Sequence, residues 1–173
     1  MGGGAVEEGA IEEILGFGEF ALALAGFAAI ALVLGRREGV LPPGSTYVVR
    51  FMVLNALGAA LMAVFAFVLQ RLDVPEPSLW RICSAAYLLG ATYFVVISVR
   101  QQRELSVAGE ALLLPTVLHR VIWGGSILAH LLQLSNCIGF PAPPSEGLFL
   151  LGLLVLIVLA SIQFVALLFL ALE

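Results

Sequence analysis

Lysine is absent from this chain, and all eight basic residues are arginine. That absence excludes Schiff-base chemistry with retinal or pyridoxal, and it excludes a phosphate-loop lysine. Charge of either sign is scarce: 12% of residues are charged and the net charge is −4, where a soluble domain carries about 25% charged residues. There is no basic tract, so nucleic acid is not an expected partner. The two cysteines, Cys83 and Cys137, are far apart in sequence and form no C-x-x-C pair, which removes a thioredoxin-like exchange site. No Ser–His–Asp set, zinc spacing or Gly-rich phosphate loop occurs. The chain is therefore not expected to be an enzyme or to hold a cofactor.

What it has in excess is apolar sequence. It is 61% hydrophobic with a mean hydropathy of +1.09. A membrane-crossing helix needs about 20 mostly apolar residues, because the hydrocarbon core is about 30 Å thick and each residue rises about 1.5 Å. Five stretches qualify: Ile14–Leu34, Val48–Leu69, Leu79–Val99, Thr116–Ser135 and Gly147–Ala171. The runs are continuous and lack the period-two alternation of a membrane barrel. The expected fold is all-α, a polytopic five-helix membrane bundle forming one integral membrane domain over residues 1–173.

The connections carry turn residues: Gly35 to Gly39, Pro42-Pro43-Gly44-Ser45, Asp73 to Ser78, and Pro141-Ala142-Pro143-Pro144-Ser145. Ser78 is the expected N-cap of the third helix. Gln101–Leu114, the longest connection, has Leu105, Leu112 and Leu113 among polar residues and reads as a short interfacial helix, with Pro115 in a first helical turn. Arg36, Arg37, Arg50, Arg100, Arg103 and Arg120 fall on one side, and Arg71 and Arg81 on the other. The positive-inside rule then puts the N-terminus outside and the C-terminus in the cytoplasm. The Met-Gly-Gly-Gly start has no basic n-region, so the first helix is expected to be retained. Exclusive arginine usage suggests a prokaryotic genome and a plasma (inner) membrane.

The first helix concentrates acid. Glu7, Glu8, Glu12, Glu13 and Glu19 precede any basic residue. Steps of three and four residues share a helix face, which gives the seam Glu8, Glu12, Leu15, Glu19, Leu22, Gly26, Ala29, Val33. Glu19 lies inside the apolar stretch, where a carboxylate is costly and faces water, a partner or the protein interior. One reading is a homo-oligomeric cation channel. Rings of Glu8, Glu12 and Glu19 would gather cations at the outer mouth, and Leu22, Gly26 and Val33 would line the path below. Glu12 and Glu19 offer hard oxygen ligands for Ca²⁺ or another permeant cation. The alternative reading is structural. The helix dipole stabilises N-terminal carboxylates, Glu19 would pair with Arg81, and a helix rich in Gly and Ala would be buried against its neighbours. The chain would then be a non-conducting subunit or scaffold for a partner protein. A third reading is a small ion-coupled transporter using Glu19 and His130.

The run Ala25-Gly26-Phe27-Ala28-Ala29-Ile30, followed by Leu34-Gly35-Arg36-Arg37, resembles the first helix of small bacterial multi-pass membrane proteins, a likeness that brings no activity with it. The same helix is similar to the pore helix of Orai-type calcium channels, which has a Ser-Gly-Phe-Ala core and runs from acid outside to base inside. That resemblance implies acidic rings at an outer mouth. In those channels the selectivity glutamate follows the core, whereas here Leu34 stands at that position and the glutamates precede it.

His119 and His130 are eleven residues apart on the fourth helix, about 16 Å by rise, and cannot ligate one metal. His130 is read as a hydrogen-bonded packing residue, with a polar relay as the alternative. Cys83 and Cys137 fall at the same non-cytoplasmic face of neighbouring helices, so a disulfide and two free thiols both remain open. Asn55 with Gly58 and Ala59 reads as helix–helix glue. Gln163 needs a partner, and Tyr47 and Trp80 read as interfacial anchors.

Overall fold

The computed structural model describes residues 4–35, 43–108 and 116–172, with side chains described for 14–27, 29–30, 46–108 and 116–168. Those residues form five helices: α1 (Gly4–Gly35), α2 (Pro43–Arg71), α3 (Glu76–Val107), α4 (Thr116–Ile138) and α5 (Glu146–Leu172). Four of them, α2 to α5, are long and apolar enough to cross a membrane, as in a multi-pass membrane bundle. Within α1, the apolar stretch with described side chains is Ile14–Phe27.

The helices begin and end for local reasons. Val74 N–H donates to Leu69 O and Asp73 N–H to Gln70 O, with Asp73 in the left-handed region at φ 54°. This pair of bonds is a Schellman stop, which satisfies carbonyls at the end of α2. At the other turn, Gly139 at φ +74° lets Phe140 N–H reach Ser135 O and ends α4. The N-cap of α3 is Pro75, with no side-chain cap bond, so Ser78 is not the cap. Pro77, the second helical residue, tolerates that place because its missing N–H has no intrahelical partner there anyway. Residues 100–107 are not a separate interfacial helix: they continue α3 to Val107. The run Arg100-Gln101-Gln102-Arg103-Glu104-Leu105 is made of good helix formers with no breaker. Leu112, Leu113 and Pro115 lie outside the described residues.

α5 packs against all four other helices, while α1 packs only on α2 and α5 among the described residues. Small side chains make the joints. On α2, Ala56, Ala59, Ala60, Ala63 and Ala66 are buried, while Leu57, Leu61, Val64 and Val68 face outward. On α1, Ile14, Gly18, Ala21 and Ala25 are buried, and a Cβ at Gly18 would lie 3.3 Å from the Ala63 Cβ. Lipid tails are as apolar as leucine, so helices in a membrane gain little by hiding leucine; they gain by close backbone approach.

Larger residues pack beside part of this joint, where Leu79, Trp80, Cys83, Tyr87, Phe149 and Leu153 cluster with Ile14, Ala63 and Ala66. The rings of Trp80 and Phe149 are 5.7 Å apart, centroid to centroid. Trp80 and Tyr47 are both buried, so neither is an exposed interfacial anchor. Tyr47 is held by Gln102, whose Nε2 donates to its hydroxyl at 2.8 Å, tying α2 to α3.

Candidate functional site

Two features stand out: the outer face of α1 and a polar stripe on α4.

The α1 seam turns away from the bundle. Glu19, Leu22, Gly26 and Ala29 are exposed and Leu15 is half-buried; the side chains of Glu8, Glu12 and Val33 lie outside the described residues. Leu22 is 53% exposed, and Phe20, Phe27 and Ile30 beside the seam are 56–59% exposed. Among the described side chains of α1, full burial within the chain is therefore limited to the face of Ile14, Gly18, Ala21 and Ala25. Arg81 does not pair with Glu19. It sits instead by the α4–α5 turn, where a Cβ at Gly139 would lie 3.3 Å from its Nη2. Glu19 also stands well along the bundle. Its neighbour Gly18 abuts Ala63, which precedes Arg71 by eight residues, about 12 Å along α2.

The α4 stripe is Ser126, His130, Gln133 and Asn136, at steps of four, three and three. The serine, histidine and glutamine are visible individually in the sequence. Their shared face with Asn136 is a signal that periodicity alone carries. Gln133 and Asn136 are fully buried. Ser84 Oγ donates to Gln133 Oε1 at 2.7 Å, and Asn136 Nδ2 donates to Ser84 Oγ at 2.9 Å. Gln133 Nε2 donates to Phe149 O at 3.0 Å, and Ser145 N–H donates to Asn136 Oδ1 at 2.7 Å. One knot thus fastens α3, α4 and the start of α5 with every carboxamide group engaged. A satisfied buried network of this kind is structural.

His130 is half-buried beside the knot. Its Nδ1 meets Ser126 O at 2.7 Å, and Tyr87 packs edge-on with ring centroids 6.2 Å apart. Glu19 and His130 are not brought together: one is on the outer face of α1, the other between α3 and α4. His119 packs edge-on against Trp123 at 6.2 Å. Gln163 finds its partner in Asn55, whose Nδ2 donates to Gln163 Oε1 at 3.4 Å across α2 and α5. No group of three or more His, Cys, Asp or Glu side chains suited to a metal occurs among the described residues.

Cys83 and Cys137 adjoin the bonded pair Ser84 and Asn136 in sequence, so they sit at one level of the bundle. Both are free thiols, Cys83 buried and Cys137 half-buried. Denatured protein prepared without reductant should titrate two thiols per chain. In the folded protein a maleimide should label Cys137 well before Cys83. Fewer than two thiols on denaturation would mean a bridge instead.

Comparison with protein-family models, curated proteins and solved structures finds no match for this chain.

Proposed function

We propose that this chain is a homo-oligomeric membrane protein that conducts cations, with the outer faces of α1 from several copies around the path. In this reading α1 crosses the membrane as a fifth span, with the N-terminus outside and the C-terminus in the cytoplasm, following the arginine distribution.

The observation that carries the reading is Glu19: exposed on one copy, and level with a point about 12 Å inside the Arg71 end of α2. A carboxylate at such depth costs several kcal/mol if it faces hydrocarbon. Water or a polar partner removes that cost. A second copy placing its own Glu19 nearby, with water between, meets the need and creates a ring of negative potential. The exposed Ala23, Gly26 and Ala29 on the same side permit close approach of α1 helices. Carboxylate rings favour Ca²⁺ or another cation and repel anions.

The experiment places a single cysteine at Leu22 in a chain with Cys83→Ala and Cys137→Ala, reconstituted in phospholipid vesicles. Oxidation should link copies through α1, and the vesicles should pass K⁺ or Ca²⁺ but not Cl⁻. A monomer with no linkage and no flux overturns the reading. A monomer that co-purifies with a stoichiometric second protein replaces it with the scaffold reading.

A further inference from the structure

Helical glycines in this bundle differ in what an added Cβ would meet. At Gly125 and Gly152 an added Cβ would collide with Leu159 and Gln133, so glycine there permits close packing. At Gly58 on α2 and Gly90 on α3 an added Cβ would meet nothing within 4 Å. Glycine in a helix interior costs about 1 kcal/mol relative to alanine, and at these two positions no close approach offsets it. Gly16, Gly26, Gly124 and Gly147 are open in the same way, but Gly58 and Gly90 together line a cleft between α2 and α3 of about 220 Å³.

The walls of the cleft are mostly apolar, with Phe51 and Phe94 among them; Asn55 from α2 and Ser126 and His130 from α4 also line it. The polar groups have a defined sense. Ser126 Oγ donates to Ile122 O at 2.9 Å, which uses its proton. Ser126 O is a carbonyl and can only accept, so Nδ1 of His130 must carry the proton in the 2.7 Å contact. In the neutral ring Nε2 is then a bare acceptor. Among the described residues nothing donates to it. Tyr87, whose ring lines the same cleft and is only 3% exposed, has a buried hydroxyl with no hydrogen-bond partner. A buried polar group left unmatched costs about 1–3 kcal/mol. The Tyr87 oxygen is buried and does not open into the cleft, so the unmatched His130 acceptor is the group that calls for a molecule bringing its own hydroxyl.

We propose that the α2–α3 cleft binds a bilayer-dissolved apolar alcohol. Its O–H donates to His130 Nε2, and its apolar body lies across Gly58 and Gly90. The proposal does not depend on conduction and involves no residue of α1.

The test uses the full chain in phosphatidylcholine nanodiscs and a diazirine-bearing farnesol as photoprobe. Farnesol should compete for labelling of α2 and α3 peptides, and farnesyl methyl ether, which lacks the donor, should compete about tenfold less well, the value of one hydrogen bond. Gly90→Leu fills the cleft and should cut labelling at least about tenfold. Gly124→Leu adds the same bulk on an exposed α4 position that does not line the cleft and should label like wild type. His130→Leu should erase the preference for alcohol over ether. Equal competition by alcohol and ether overturns the proposal and makes the cleft a groove for acyl chains. Wild-type labelling of Gly90→Leu also overturns it. If Gly90→Leu does not fold, the alcohol–ether comparison on wild type decides alone.

Discussion

Gly152→Ala should melt on the order of 10 °C below wild type in detergent. An added Cβ at this position collides with Gln133 Nε2 and lies 2.9 Å from its Cδ. Gln133 has no room to retreat, since it is fully buried and bonded on both sides, to Ser84 and to the Phe149 carbonyl. Moving it leaves the Ser84 hydroxyl proton without its acceptor and the Gln133 Nε2 donor without its partner, at about 1–3 kcal/mol for each unmatched buried group. Overpacking adds about 1–3 kcal/mol. A total near 4 kcal/mol corresponds to roughly 10 °C for a chain of this size, at about 2–4 °C per kcal/mol. The check is tryptophan fluorescence against temperature. The double variant Gly152→Ala/Gln133→Ala tests the cause. With the carboxamide gone the collision is gone, so the double variant should be no less stable than Gln133→Ala alone. An unchanged melting point for Gly152→Ala would show that the knot yields without cost.

Glu19→Gln should lower cation flux through reconstituted vesicles at least about tenfold, the order by which a focused field raises local ion concentration. The side chain keeps its shape and loses its charge. Because Glu19 is exposed on its own chain, thermal stability and the Leu22 cross-link should stay as in wild type. Glu19→Lys should go further and admit Cl⁻. The wild-type advantage should shrink as salt rises, since the Debye length falls from about 10 Å at 0.1 M to about 3 Å at 1 M. Unchanged flux in a cross-linked Glu19→Gln oligomer would remove α1 from the path.

The five helices, their order and four of the spans were legible in the sequence, because hydropathy and turn residues depend on local composition. Helix ends were less so. The Val99 boundary of the third span marked where hydropathy falls, not where hydrogen bonding stops, and α3 continued through Arg100–Val107. Facing was the harder matter. In water the large apolar residues reveal the buried face. Here Leu57 and Leu61 face out while Ala59 and Ala63 face in, so the size of the side chain, not its polarity, carries the signal. On α1 that rule sorts Gly18, Ala21 and Ala25 to the joint and Leu22 to the outside, but it misplaces Gly16, Ala23, Gly26 and Ala29, which are small and exposed. The polar knot was not legible, since the sequence singles out Gln163 as needing a partner, and Gln133 and Ser84 lie on different helices with no spacing that joins them. The cleft was illegible altogether. Gly58 suggested close packing by its type, and only the positions of its neighbours show that it leaves space.

The Schellman stop at Asp73 bears on more than the end of α2. It folds α2 and α3 into a hairpin joined by residues 72–75. Like a pair of tongs pinned at one end, the two helices can part only with distance from the pin. The cleft starts near Leu61 and Ala86, each ten residues from its end of the hairpin, about 15 Å away, and reaches Phe51 and Val95 beyond. A lipophile sliding between the arms would come from the leaflet bordered by Arg50 and Arg100, not from the one at the pin. The hairpin would sample one monolayer of the membrane and be blind to the other.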